Sequence, residues 1–166
     1  METYFDQKGE ETACSDGYSR WLRTYNANKK VTSESFQDSS GDPVIKKSTG
    51  YAKVEYTYDE NGSLAVVKDA KGNKTYYTYD KVGRVKTVMN AVGNTMEYSY
   101  DETGNVTEFK DYAGTVTTYS YDNLDRLVEK MVGEEKTTYT YDTKGQLAKV
   151  TDKSGDTSYQ YDSYGR

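Results

Sequence analysis

The sequence contains no histidine and only one cysteine, Cys14. Without histidine, the Ser-His-Asp and Cys-His arrangements of common nucleophilic enzymes are excluded. A single thiol cannot form an internal disulfide and gives no indication of the redox compartment. We therefore expect no enzymatic activity, no catalytic residues and no cofactor.

Large aliphatic side chains are also scarce. Leu, Ile, Val and Phe together make up 23 of the 166 residues, which is below the ~20% at which disorder is suspected. Against disorder stand 19 tyrosines at regular intervals and a net charge of only -5, which is too small for strong self-repulsion. We therefore predict a folded chain whose core is built mainly from tyrosine.

Clustered charge and long apolar runs are missing as well. The 22 basic and 27 acidic residues alternate instead of forming blocks, so no nucleic-acid partner is expected. No apolar run approaches the ~18 residues of a membrane span, and the first residues lack a secretion-signal pattern. Because the sequence ends inside a repeat, at Tyr164-Gly165-Arg166, we expect it to be a piece of a longer polypeptide.

The clearest feature present is a Tyr-Asp pair that recurs every 20 or 21 residues. A second tyrosine precedes each pair by two positions, and side chains two apart point to one side of a strand. Both rings of each Tyr-x-Tyr are therefore predicted to share a face. The six pairs begin at Tyr58, Tyr79, Tyr100, Tyr121, Tyr141 and Tyr161, and the preceding tyrosines are Tyr56, Tyr77, Tyr98, Tyr119, Tyr139 and Tyr159.

Each Tyr-Asp pair is predicted to open a turn. Glycine follows the Asp by three positions in five of the six units, and Asp125 takes its place in the fourth. The Asp side chain can accept a hydrogen bond from the amide two residues on, and glycine tolerates the positive φ of a three-residue hairpin loop. Aspartate tolerates that conformation with some strain, so the Asp125 turn is expected to form.

A second strand and a second turn complete each unit. An apolar residue lies five positions after the Asp, and turns of the same type are predicted at Asp69–Gly72, Asn90–Gly93, Asp111–Gly114 and Asp152–Gly155. The fourth unit departs from this pattern around Val132-Gly133. Further apolar residues three positions on, such as Val67 after Leu64, would face the other side of an ideal strand. Either both faces are partly covered or a bulge re-aims one side chain.

Residues 1–50 follow a longer unit. Gly17-Tyr18 recurs as Gly50-Tyr51, and Tyr25-Asn26 as Tyr58-Asp59, both 33 residues on. We predict divergent longer β-repeats in 1–50, either a cap or the start of the array, and regular repeats of 20–21 residues in 51–166.

An isolated hairpin is marginal in water, so successive units are expected to pair edge to edge and to align their tyrosines in ladders. The tyrosine hydroxyl would then reach water or a backbone carbonyl. Exposed strands at the two ends of the array would promote end-to-end self-association.

The string Tyr-x-Tyr-Asp-x-x-Gly-Arg-Val, from Tyr77 to Val85, resembles the YD repeat of RHS (rearrangement hotspot) proteins, and Tyr119 to Leu127 repeats it with Asp125 in place of glycine. The resemblance implies an all-β fold of tandem hairpins in a continuous, twisted, spiralling antiparallel sheet, part of a hollow shell. It also implies a non-catalytic scaffold in a larger secreted or cell-surface protein. In relatives such as bacterial polymorphic toxins the shell encloses a toxin, and in teneurins it is an adhesion scaffold. The implied partners are adjacent repeats and the C-terminal portion of the parent chain.

Two further readings concern ligands. Asp59-Glu60-Asn61-Gly62 and Asp101-Glu102-Thr103-Gly104 faintly resemble calcium loops, but they lack alternating oxygen ligands and a distal Glu, so solvated turns and no metal are expected. The alternative function is a carbohydrate- or cell-wall-binding repeat module, in which sugar rings would stack on tyrosines such as Tyr79 and Tyr100.

Overall fold

The computed structural model describes residues 1–162 and 164–166, which form 14 β-strands and no helix. The strands follow one another in sequence order in an antiparallel sheet, which confirms the predicted all-β array of hairpins. None of the described residues therefore belongs to a helix that could cross a membrane. The strands are β1 (Glu2–Thr3), β2 (Arg20–Tyr25), β3 (Val31–Gln37), β4 (Lys53–Tyr58), β5 (Leu64–Asp69), β6 (Lys74–Tyr79), β7 (Val85–Met89), β8 (Thr95–Tyr100), β9 (Val106–Lys110), β10 (Val116–Tyr121), β11 (Leu127–Val132), β12 (Glu135–Tyr141), β13 (Leu147–Asp152) and β14 (Gly155–Ser158).

The chain divides into two compact units. Unit 1 comprises Met1–Arg84 with Met89–Gly93, and unit 2 comprises Val85–Val88 with Asn94–Arg166. The division by repeat length into 1–50 and 51–166 remains a prediction.

Unit 1 contains an aromatic core formed by residues on and next to β2 and β3. Phe36 is 1% exposed, and its ring centroid lies 4.8 Å from that of Tyr18, 6.1 Å from that of Trp21 and 5.9 Å from that of Tyr51. Tyr18 and Tyr51 occupy equivalent positions of the 33-residue repeat. The two repeated tyrosines, Tyr18 and Tyr51, thus meet around one phenylalanine.

In unit 2, the tyrosines of β8 and β10 alternate with exposed residues. In β8 and β10 the tyrosines are half-buried while the intervening Ser99 and Ser120 are exposed. This period-two alternation is what the Tyr-x-Tyr spacing predicts for a strand with one apolar face.

Candidate functional site

The Tyr-Asp turn is closed by both backbone and side chain. At Asp80, the Gly83 amide donates to the Asp80 carbonyl over 3.1 Å, and the Asp80 amide donates to the Arg84 carbonyl over 2.9 Å. The Asp80 Oδ1 atom accepts from the amides of Val82 (3.0 Å) and Arg84 (2.9 Å). The first of these side-chain bonds was predicted, and the second ties the same carboxylate to the far side of the loop. The same pair of bonds recurs at Asp69, Asp111, Asp122, Asp142 and Asp162.

Positive φ falls where the turns require it, including two positions without glycine. Asp125 has φ 57°, as its place in the turn predicts, and Gly83 has φ 87°. The Asp125 carboxylate also accepts from the Thr103 hydroxyl (3.0 Å) and from the Asn105 side-chain amide (2.8 Å) of the preceding turn. Aspartate therefore gives this turn a lateral contact that glycine cannot make.

The turn of this type that begins at Asn26 was not predicted from the sequence. Asn26 closes a loop in which Lys29 has φ 60°, and its side-chain oxygen accepts from the amides of Asn28 and Lys30. Lysine gives no turn signal, so only Asn26, in the position of the repeated Asp, could have indicated this turn.

The prediction for Asp152–Gly155 was wrong in type. Asp152 pairs directly with Gly155 across a two-residue loop, whereas Asp69 pairs through its amide with Asn73 around a three-residue loop. A two-residue loop also joins Val132 to Glu135 in the unit that departs from the pattern. These two loops are one residue shorter than the others, which explains why the last two Tyr-Asp spacings are 20 and not 21.

A β-bulge follows the Tyr-Asp turns that begin at Tyr58, Tyr100, Tyr121 and Tyr141. In the β4–β5 hairpin, Thr57 pairs with Val66 and Tyr58 pairs with Leu64, so Ala65 is the extra residue. Since Tyr56 pairs with Val67, the bulge places Leu64 and Val67 on the same face as the two tyrosines. The bulge is therefore the correct one of the two open alternatives. Equivalent register shifts occur between Thr24 and Tyr25, Ser99 and Tyr100, Ser120 and Tyr121, and Thr140 and Tyr141.

In each Tyr-x-Tyr, the second tyrosine donates a hydrogen bond from its hydroxyl to a backbone carbonyl of an earlier strand. The hydroxyl of Tyr121 lies 2.9 Å from the carbonyl oxygen of Val106, the first apolar residue after the preceding turn. The carbonyl is therefore the correct one of the two acceptors considered for these hydroxyls. The same bond, at 2.7–2.9 Å, joins Tyr58 to Val31, Tyr79 to Leu64, Tyr100 to Val85, Tyr141 to Leu127 and Tyr161 to Leu147.

The ladder is not a continuous stack of rings. Within unit 2, the Tyr98 ring lies 6.4 Å from Tyr100 on its own strand and 5.0 Å from Phe109 across the hairpin. Tyrosine and apolar side chains alternate from strand to strand, and the hydroxyl bonds provide the repeated link. Burial, together with nearby negative and phenolic groups, raises the pKa of Tyr79 and of Tyr121.

Charged pairs flank this framework. Arg84 bonds Asp80 at 2.7 Å and Arg126 bonds Asp122 at 2.6 Å, both within one turn. The Arg126 side-chain bond and the loop amides hold the pKa of Asp122 below its ordinary value. On the face opposite the tyrosines, Lys53 and Lys68 lower the pKa of Glu55 to about 2. Such exposed pairs contribute little to stability individually.

The residues considered for ligand binding are occupied by these local bonds. The Asp59 carboxylate accepts from the Ser63 amide, and that of Asp101 accepts from the amides of Gly104 and Asn105. Within residues 1–162 and 164–166, no group of three or more acidic or cysteine side chains is placed to hold a metal ion. The free thiol of Cys14 is half-buried.

Solved toxin structures contain a similar fold. TcdB2-TccC3-TEV matches with a TM-score of 0.67 and 18% identity over 87% of this chain and 9% of that chain. TcdB2-TccC3-Cdc42 matches with 0.66 and 19% over 86% and 8%. The Photorhabdus luminescens Tc holotoxin pore matches with 0.63 and 19% over 86% and 8%. The chain thus spans less than a tenth of these chains, and at such identities the likeness shows the fold alone.

A comparison with curated proteins gives no match. The family model for the RHS repeat matches residues 79–108, 100–138 and 141–166, which together exceed half of the sequence. These matches cover the Tyr-Asp turns from Tyr79 to Tyr161, and they confirm the resemblance seen in the sequence. The chain therefore belongs to the RHS repeat family.

Proposed function

We propose that this chain is a non-catalytic segment of the wall of a larger, secreted or cell-surface RHS-type protein, whose spiralling sheet encloses a protein cargo such as a toxin. The observation that best supports this proposal is the hydroxyl-to-carbonyl bond from the second tyrosine of each Tyr-x-Tyr to an earlier strand. Because each repeat makes this bond to an earlier strand, further hairpins can be added to the sheet in the same way, as the wall of a shell requires.

The polar groups support a structural role. The aspartates of the six units share one local task, which is to accept hydrogen bonds from their own loops, whereas catalysis needs one distinctive constellation. The hydroxyls of the second tyrosines, such as Tyr100 and Tyr121, are bonded to carbonyls and hold strands together. The proposed partners are therefore adjacent repeats and the C-terminal portion of the parent chain.

The similar structures support the toxin context. The similar fold occurs in the Photorhabdus luminescens Tc holotoxin pore and in TcdB2-TccC3 fusions. Enclosure of a cargo is the function we extend to this chain from that likeness.

Protease protection tests enclosure in the full-length parent protein. We expect the portion C-terminal to the repeats to resist protease while the native shell persists. It should become sensitive when Tyr100 and Tyr121 are changed to Ala, with Leu124→Ala, a residue of an internal turn that is 72% exposed, as the control. Equal sensitivity of native and variant proteins would contradict enclosure.

Carbohydrate binding is the alternative outcome of a parallel assay. If the chain is part of a shell wall, Tyr100→Ala should lower the melting temperature and a glycan array should give no specific signal. Glycan binding that is lost in Tyr79→Ala and Tyr100→Ala, with unchanged melting, would replace the wall by a binding module.

A further inference from the structure

Two loops of unit 1 that are 32 residues apart are clamped together. The Lys47 amide donates to the Asp16 carbonyl over 3.1 Å, and the Ser48 hydroxyl donates to the Asp16 carboxylate over 2.9 Å. The Lys47 ammonium also reaches the Ser15 carbonyl at 3.4 Å. These bonds hold the segment around Lys46 beside the aromatic core.

The ammonium of Lys46 lies among three aromatic rings. Its Nζ atom is 5.1 Å from the centroid of Phe36, 5.7 Å from that of Trp21 and 5.8 Å from that of Tyr18. The Asp16 carboxylate is 3.8 Å away, and the Lys46 side chain is only 20% exposed. Aromatic faces attract cations within about 6 Å, and a nearby carboxylate adds to that attraction.

The nitrogen-to-ring distances also leave room for an alkylated ammonium. A methyl carbon packs about 3.5–4.0 Å from ring atoms and stands ~1.5 Å from its nitrogen, which would place the nitrogen about 5.0–5.5 Å above a ring. The distances to Phe36 and Trp21 lie in or near that range. A second cation, Arg23, lies 3.5 Å from the Trp21 centroid and is held separately by Glu34.

We propose that Tyr18, Trp21, Phe36 and Asp16 form an ammonium-binding cage whose resident ligand is the side chain of Lys46. The cage takes a small alkylammonium ion, of the tetramethylammonium or choline class, when that side chain is removed. In the intact chain Lys46 acts as a tethered ligand and fastens its loop to the core. This site lies apart from the tyrosine ladder and does not depend on the proposed wall function.

The test uses Lys46→Ala and the fluorescence of Trp21, the single tryptophan. Tetramethylammonium chloride and choline chloride should give a saturable change with a midpoint on the order of 1 mM. The neutral isostere of choline, 3,3-dimethyl-1-butanol, should bind at least about 10-fold more weakly, because it lacks the charge. Intact protein, Lys81→Ala and a sodium chloride titration are the controls, and none should show the saturable response.

Three outcomes would overturn the cage. These are no response in a folded Lys46→Ala variant, equal binding of the neutral isostere, and an equal response in the intact protein. If Lys46→Ala does not fold, reductive 13C-dimethylation of the unsubstituted protein supplies the test by NMR. The cage predicts that the dimethyl-lysine signal missing in Lys46→Arg is shifted upfield by the rings. Lys30, whose Nζ lies 5.3 Å from the Tyr58 ring centroid, gives a separate signal that Lys46→Arg keeps. A Lys46 signal at the position of free dimethyl-lysine would refute the proposal.

Discussion

Replacing Tyr121 by phenylalanine removes one hydroxyl from the ladder and leaves the ring in place. The hydroxyl lies 2.9 Å from the Val106 carbonyl and is partly buried, so its loss leaves that carbonyl without this donor. A hydrogen bond of this kind contributes about 1–2 kcal/mol when the abandoned acceptor is partly shielded from water. We therefore expect Tyr121→Phe to lower the free energy of unfolding by that amount.

The same tyrosine-to-phenylalanine change can be made in neighbouring repeats to enlarge the loss of stability. Tyr100 and Tyr141 make the same bond, to Val85 and Leu127. Tyrosines of successive units are two strands apart, which is about 10 Å, and effects at that separation usually add. The triple Phe variant should lose about 3–6 kcal/mol, a large part of the ~5–15 kcal/mol typical of a folded domain.

Urea unfolding followed by circular dichroism measures these changes. Tyr119→Phe is the matched control, because Tyr119 lies on the same strand and its hydroxyl bonds no other residue that the structure describes. We expect the control to change stability by less than about 0.5 kcal/mol. Equal losses at Tyr119 and Tyr121, or no loss at either, would refute the role assigned to the hydroxyl.

Four further predictions follow from the turns and from the titrating groups. Because burial raises the pKa of Tyr121, the folded chain keeps a proton that the unfolded chain releases, so stability measured by melting should fall as pH rises above about 10. The Arg126 bond lowers the pKa of Asp122, so stability should likewise fall as pH drops below about 4. In a double-mutant cycle, Asp125→Gly and Asn105→Ala should couple by about 0.5–1 kcal/mol, since the two side chains bond at 2.8 Å, and additive losses would argue against the lateral contact. Gly83→Ala should cost about 1–2 kcal/mol in urea unfolding because φ is 87°, although a methyl group there meets no atom within 4 Å, and an unchanged midpoint would contradict that reasoning.

The sequence predicted those features that depend on neighbours along the chain. The turn at Asp80 requires only an aspartate, a glycine three residues on and the amides between them, so its geometry is encoded in five residues. The shared face of Tyr98 and Tyr100 follows from strand pleating alone.

Other features depend on pairing between strands. Ala65 carries no bulge signal, and its extra position emerges only when Tyr56 and Tyr58 are matched with Val67 and Leu64. Asp152–Gly155 has the spacing of a three-residue loop, yet direct pairing across the hairpin makes it a two-residue loop.

Contacts distant in sequence were also beyond prediction. The carbonyl acceptor lies 14 or 15 residues before Tyr79, Tyr100, Tyr121, Tyr141 and Tyr161, and 27 residues before Tyr58. Lys46 meets its aromatic partners through loops 32 residues apart. Composition indicated that tyrosine takes over packing from the scarce leucine and isoleucine, but only the fold shows which carbonyl the second tyrosine of each repeat reaches.

The central claim is that a tyrosine hydroxyl fastens each hairpin to an earlier strand, and proton NMR on selectively labelled tyrosine tests it most directly. We predict slowly exchanging hydroxyl protons for Tyr100, Tyr121 and Tyr141, each with a nuclear Overhauser effect to Val85, Val106 or Leu127 respectively. Hydroxyl protons that exchange with water as fast as those of free tyrosine at all three positions would contradict the claim.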